Sequence, residues 1–212
     1  MSNNVLNYGW KEGEDPHSCD YLGPAIKVAL RKYSGIERVC DLGCGSGKLV
    51  GELLIEGYKV AGVELDAEGC RITAERNPAA TVYNLGVEDS YLSIIEKEEA
   101  KFDAVVSTEV IEHLYSPHLL PQFASGILKP SGVLIITTPY HGFWKNLALS
   151  LFNKWDFHHT PLWHGGHVKF WSKATLSLLL EDSGYEVVEF SGVGRVPYLW
   201  KSMLLIAKLK KS

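Results

Sequence analysis

Apolar positions along this chain of 212 residues follow two alternating rhythms. Short, nearly continuous apolar runs at 38–42, 59–64, 81–84, 102–107 and 133–138 predict buried strands. Between them, apolar residues recur at helical spacing at 49–56, 67–76, 91–99 and 119–128. A further amphipathic helix, 24–33, precedes the first strand and carries Ile26, Val28, Ala29 and Leu30. Strands and helices that alternate at these lengths predict an α/β fold with a parallel, doubly wound sheet. The tail breaks the alternation. Runs at 186–190 and 203–209 are joined by a loop holding Gly192, Gly194 and Pro197, with no helical pattern between them. A hairpin is the simplest such connection, so the last strand is expected to be antiparallel to its neighbours. No repeat, low-complexity tract or linker interrupts the pattern, and one domain over 1–212 is expected, preceded by a polar arm at 1–20 with Tyr8 and Trp10.

Composition changes this picture little. The apolar fraction of 46% is ordinary for a globular chain. A formal net charge of −4 argues against broad electrostatic capture of nucleic acid. Cys19, Cys40, Cys44 and Cys70 form no CxxC pair and read as reduced packing residues. The first twenty residues hold no apolar core of a secretion signal, and no apolar stretch is long enough to span a bilayer. A cytoplasmic protein is expected.

The densest chemistry lies at Asp41-Leu42-Gly43-Cys44-Gly45-Ser46-Gly47, where a strand runs through a glycine turn into a helix. Glycines at alternate positions let the backbone pass close to a ligand. The spacing is not the G-x-G-x-x-G that cradles a pyrophosphate, and Asp41 would repel a phosphate. The turn suits a ligand with a cationic amine and no phosphate. It resembles motif I of class I S-adenosylmethionine (SAM) dependent methyltransferases, which implies a Rossmann-like, seven-stranded sheet and SAM as cofactor. The antiparallel last strand agrees with that resemblance. By position, Asp41, Gly43, Cys44, Gly45 and Gly47 would hold the amino-acid end of SAM, Asp41 meeting its ammonium. Glu64 and Leu65, at the end of the second strand, would meet the ribose. Val87 and Glu88, after the third, would meet the adenine, and Thr108 closes the fourth strand.

After the fourth strand come Glu109, Glu112 and His113. At i, i+3, i+4 they share one face if the chain turns helically there. Carboxylates and an imidazole at a strand end can bind a divalent ion, act as acid or base, or hydrogen-bond a substrate. Further on, Gly165-Gly166-His167 precedes a helix with Ser172 as its N-cap, and the glycines let His167 fold back over the sheet. E-x-x-E-H followed by H-x-K-F resembles two groups: the small-RNA 3′-terminal 2′-O-methyltransferases and the ubiquinone-biosynthesis O-methyltransferases. The resemblance implies Glu109, Glu112, His113 and His167 as ligands of Mg²⁺ or Mn²⁺, with Glu109, His113 and His167 catalytic. Without a metal, His113 or His167 is the natural general base.

One segment does not fit the alternation. Residues 141–166 hold Phe143, Trp144, Leu147, Leu151, Phe152, Trp155, Phe157 and Trp163, and His141, His158, His159 and His164 lie in it. Loops this long are usually functional. An aromatic lid over a small or lipid-linked quinol- or catechol-like hydroxyl acceptor is expected, with peripheral membrane contact as a second role and an extra packed helix as the bland alternative. Sugar, glycolipid or RNA 2′-hydroxyl acceptors are the competing substrates, RNA being disfavoured by the chain's acidity. A non-catalytic SAM-binding module is the competing class.

Overall fold

The computed structural model describes residues 9–10, 15–98, 101–159, 161–162 and 165–210. Tyr8, Trp163 and His164 lie outside them. The elements run α1 (Cys19–Arg31), β1 (Arg38–Leu42), α2 (Lys48–Ile55), β2 (Lys59–Glu64), α3 (Ala67–Arg76), β3 (Thr81–Asn84), α4 (Leu92–Glu98), β4 (Phe102–Thr108), a 3₁₀ turn (Ile111–His113), α5 (Leu119–Ile127), β5 (Leu128–Pro139), α6 (Phe143–Leu151), α7 (Trp155–His159), α8 (Lys173–Asp182), β6 (Tyr185–Val193) and β7 (Ser202–Leu209). The seven strands form one sheet in the order β3-β2-β1-β4-β5-β7-β6. β1 to β5 pair in parallel, and β7 runs antiparallel to both β5 and β6. The α/β class and the antiparallel last strand are as the hydrophobic pattern predicts.

Both faces of the sheet are covered, which is why its central strands read as continuous apolar runs rather than alternating ones. One core gathers Phe102, Val105, Ile127, Leu134 and Tyr185 under α4, α5 and α8. The other gathers Leu22, Ile26, Val50, Val106 and Ile135 under α1 and α2. α1 begins a turn and more before the expected start at residue 24, with Pro24 inside it. Its buried stripe of Leu22, Ile26, Ala29 and Leu30 has helical spacing that reaches back past the proline. Gly23 lies against the Glu52 carboxylate of α2, where a Cβ would come within 2.7 Å of Oε2. Tertiary packing therefore overrides the local stop signal. β5 also extends five residues earlier than expected, where Leu128 pairs with Phe102 across an irregularity in the ladder. The insertion is not a loop: it folds into α6 and α7, and α8 then starts at a full capping box between Ser172 and Thr175.

Strand order reverses between β1 and β4, so the carboxyl ends of these strands open a crevice where ligands bind in such sheets.

Candidate active site

The glycine turn after β1 hangs from β2, because the amides of Gly43 and Cys44 both donate to the Val63 carbonyl, at 2.8 and 3.0 Å. Gly43, Gly45 and Gly47 have φ of 86°, 54° and 75°, the left-handed region that side chains with a Cβ enter at a cost. Space forbids a side chain as well. A Cβ on Gly45 would lie 2.6 Å from the Trp10 ring, and one on Gly47 would lie 2.6 Å from the Asn77 amide nitrogen. α3 clamps the turn from outside. Thr73 Oγ1 donates to the Gly45 carbonyl at 2.6 Å, and Asn77 Nδ2 donates to the Gly47 carbonyl at 3.0 Å. The sequence reading missed Thr73, Asn77 and Trp10. Thr73 and Asn77 leave a signal, since they continue the buried face of α3 as polar residues. Trp10 leaves none.

The turn opens on a cleft of about 680 Å³ reached from the ends of β1, β2 and β4 and from the segment after β3. Asp41, Gly43, Cys44, Gly45, Glu64, Leu65, Val87, Glu88 and Thr108 all line it. Gly47 stands behind them as the N-cap of α2. The Asp41 carboxyl is buried, and neither of its oxygens has a hydrogen-bond partner among the described residues. Burial, and then the neighbouring Glu64, push its pKa up to about 7. A buried carboxylate without a partner is costly, and its place on the cleft wall marks where a cation belongs. The ammonium of SAM fits that place. Glu64 Oε2 accepts from the Gly45 amide at 2.8 Å and Oε1 from the Asp66 amide at 2.9 Å. Each oxygen keeps a further lone pair for a ribose hydroxyl. Glu88 is exposed, whereas its neighbour Asp89 closes the turn by accepting from the Gly86 amide at 2.7 Å.

Glu109, Glu112, His113 and His167 do not form one equal group. Glu109 has φ 53°, so the chain leaves β4 without a helical turn at this residue and the i, i+3, i+4 face expected from spacing does not form. Its carboxyl instead accepts from Thr137 Oγ1 at 3.1 Å and Ser202 Oγ at 3.2 Å, and burial raises its pKa to about 7. The ligand atoms of Glu112, His113 and His167 do come together, all within 4.8 Å of one another. Backbone contacts cause this convergence, since the amides of Val168 and Lys169 both donate to the Glu112 carbonyl, at 2.9 and 3.0 Å. Of the two glycines, Gly165 makes the turn, with φ 78°.

Glu112 is buried, with Oε2 accepting from Thr138 Oγ1 at 3.0 Å and Oε1 unpaired but 4.0 Å from His167 Nε2. Burial and then Glu109 push its pKa well above the usual carboxylate range. His113 Nδ1 meets the Gly165 carbonyl at 2.6 Å, which places the proton on Nδ1. Burial lowers the His167 pKa to about 4, helped by His113, so both imidazoles are neutral near pH 7. Two neutral imidazoles and an unsatisfied carboxylate oxygen fit a divalent ion with open positions. Glu109, His113 and His167 line the same cleft as Asp41, so the cation niche and the two imidazoles share one space, with Glu112 set behind them.

The insertion behaves unexpectedly. α6 turns Phe143, Trp144, Leu147 and Leu151 outward and buries Lys145, whose Nζ donates to the Lys201 carbonyl at 3.2 Å. None of the described residues of α6 or α7 lines the cleft, whose outer wall is instead Val110, Leu114 and Tyr115. No helix of the described residues is long and apolar enough to cross a membrane.

The profile of a methyltransferase domain family matches residues 16–190. The chain is 31% identical over 123 residues to a ubiquinone biosynthesis O-methyltransferase of Maricaulis maris, a match covering 57% of this chain and 46% of that protein. It is 27% identical over 194 residues to the protein of that name from Bradyrhizobium diazoefficiens, covering 84% of this chain and 73% of the other. This chain thus spans less than half of the first relative and about three quarters of the second. Magnesium protoporphyrin IX methyltransferase from Synechocystis PCC 6803, solved with bound SAH, superposes with a TM-score of 0.66 at 16% identity, over 88% of this chain and 81% of the other.

Proposed function

The chain belongs to the methyltransferase domain family, and on that premise we propose that it transfers the methyl group of SAM to a hydroxyl oxygen of a small or lipid-linked, quinol- or catechol-like acceptor. The observation that carries the reading is the shared cleft, lined by the buried Asp41, which has no partner among the described residues, and by Glu109, His113 and His167, with a Glu112 carboxyl oxygen within 4.8 Å of the two imidazoles. SAM supplies an electrophilic methyl on a sulfonium. As the S–CH₃ bond breaks its electron pair stays on sulfur, and an O–CH₃ bond forms from an acceptor lone pair. Asp41 holds the ammonium and Glu64 the ribose, which fixes the methyl relative to β4. The chain's remaining task is to take the hydroxyl proton and exclude water.

Glu112, His113 and His167 would hold a divalent ion of the Mn²⁺ or Mg²⁺ kind, which would supply Lewis acidity toward the acceptor oxygen. Glu109 also lines the cleft, its carboxyl tied to Thr137 and Ser202. The Maricaulis and Bradyrhizobium relatives, named as ubiquinone biosynthesis O-methyltransferases, favour an oxygen acceptor met in ubiquinone biosynthesis. The outward aromatic face of α6 suits an acceptor with a lipid tail, met by a cytoplasmic protein at a membrane surface. The deciding assay is transfer of labelled methyl from SAM to a catechol or quinol analogue, with and without EDTA. Turnover lost in EDTA and restored by Mn²⁺ or Mg²⁺ supports the full reading. Full turnover in EDTA leaves the methyl transfer and removes the metal, with an imidazole as base. No transfer to any hydroxyl acceptor, with SAM bound, overturns it.

A further inference from the structure

A second cluster of nitrogen donors lies outside the cleft. His141, between β5 and α6, meets His158 and His159 of α7, and the ligand atoms of the three lie within 4.8 Å of one another. None of the three lines the cleft. The His141 and His159 rings stack at 5.4 Å and 20°, and the His158 ring stands at 4.8 Å and 76° to that of His159. Phe170 lies edge-on to both His141 and His159, at 5.2 and 5.0 Å, and Trp155 lies 4.6 Å from His159. This aromatic collar packs around the rings without hydrogen-bonding His159. Both ring nitrogens of His159 are buried and have no hydrogen-bond partner among the described residues. A neutral imidazole carries one donor and one acceptor, so His159 is left with two unmet groups. The Asn146 amide oxygen is also buried, with no hydrogen-bond partner among the described residues.

We propose that His141, His158 and His159 form a second metal site, selective for a late divalent transition ion such as Zn²⁺, that ties α7 to the exit of β5. An all-imidazole set excludes Mg²⁺ and Ca²⁺, which take oxygen donors, and suits Zn²⁺ with water in the fourth position. The three residues are half-buried, which gives an ion a path in. Small ring rotations bring nitrogens less than 4.8 Å apart to tetrahedral spacing. The titratable neighbours are Lys145, Arg195 and His167, the last neutral near pH 7. Lys145 opposes a dication, but it is already buried beside Arg195 and its pKa is lowered to about 8, so it can shed its proton as the ion enters. The three rings are neutral near pH 7, since burial and then Lys145 bring His141 to about 3 and His158 to about 4, while burial lowers His159. Neutral imidazole is the ligating form.

The inference does not rest on the proposed methyl transfer, and its test reads metal alone. Zn²⁺ is titrated by calorimetry into three metal-free chains: native, His159→Phe, and Glu112→Gln with His167→Asn. Phenylalanine keeps the stacking volume, and circular dichroism in EDTA checks folding. The native chain and the cleft double variant are expected to share one tight Zn²⁺ site, which His159→Phe weakens at least about 100-fold, the upper end of the loss even for an indirect partner of a metal. A native chain and a His159→Phe chain with the same Zn²⁺ stoichiometry and affinity overturn the proposal. If His159→Phe does not fold, the Co²⁺ spectrum of the cleft double variant decides. Intense visible bands of a four-coordinate nitrogen site support the proposal, and their absence overturns it.

Discussion

The two halves of the cleft are built by opposite means. The cofactor half is a backbone object. Its cradle is one contiguous stretch after β1, held by amide bonds to Val63, three left-handed glycines and the clamp from α3. The acceptor half is a side-chain object. Glu112 and His113 meet His167 from a segment far away in the chain, joined by the Glu112 carbonyl, which anchors two amides just past His167, and by His113 Nδ1 on the Gly165 carbonyl. Among the described residues the cofactor half leaves the Asp41 carboxyl and Trp10 Nε1 without a hydrogen-bond partner, and the acceptor half leaves Glu112 Oε1. Preorganised backbone gives one binding mode, whereas a side-chain cluster can be retuned residue by residue without touching the scaffold.

The sharpest way to break this comparison is to strike the backbone half. Gly45→Val forces a β-branched residue into φ 54° against the Trp10 ring. SAM binding by calorimetry should fall below detection and the thermal midpoint should drop, by about 2–4 kcal/mol of stability if strain and clash add. Retained SAM affinity would show that the turn is not the cradle.

The acceptor half should fail differently. His167→Asn is expected to lower turnover by about 10²–10³, the scale of one acid–base or electrostatic group, with SAM affinity changed less than twofold. A matching loss of SAM affinity would merge the two halves into one unit.

A subtler test uses the carboxyl that the cofactor half leaves unpaired. With a pKa raised to about 7 in the folded chain, Asp41 must give up a proton to face an ammonium. SAM affinity should therefore fall as pH drops below about 7, by up to about tenfold per unit, and Asp41→Asn should flatten that slope. The linkage to stability has the opposite sign. A raised carboxyl pKa stabilises the fold most below its unfolded value near 4, and this contribution is lost as pH rises to about 7, by a few kcal/mol at most. Ligand-free Asp41→Asn should thus be more stable than the parent above pH 7 in denaturant titrations. A parent that gains stability between pH 5 and 7 relative to Asp41→Asn would refute the unpaired state.

The smallest effect belongs to the insertion. Trp144 and Phe152 are 59% and 72% exposed, so changing both to Ser should alter stability by no more than about 0.5 kcal/mol each. SAM affinity should stay constant while the KM for an acceptor with an alkyl tail rises severalfold and that for a tail-less analogue does not. Equal KM values for both acceptors would leave the exposed face without a part in acceptor choice.

Strands β1, β2 and β3 and helix α3 coincide with the segments their apolar pattern predicts, because each is short, buried and bounded by its own turn signals. The errors cluster where packing overrides a local signal: Pro24 inside α1, the early start of β5, and an insertion that folds into α6 and α7. In α6 the aromatic residues face out while Lys145 is buried by its bond to the Lys201 carbonyl, a contact made in space and invisible to periodicity.

The sequence by itself determined the sheet class, the antiparallel last strand and the place of the glycine turn, since each depends on residues adjacent along the chain. It also named Glu109, Glu112, His113 and His167 as a set, but not their division of labour. Only the tertiary structure turned Glu109 toward Thr137 and Ser202, brought His167 to Glu112, and gathered His141, His158 and His159 around Phe170. Motif spacing specifies which residues are near a strand end. Which way each side chain points is decided by backbone torsion, as at Glu109 with its φ of 53°, and by partners contributed from distant strands.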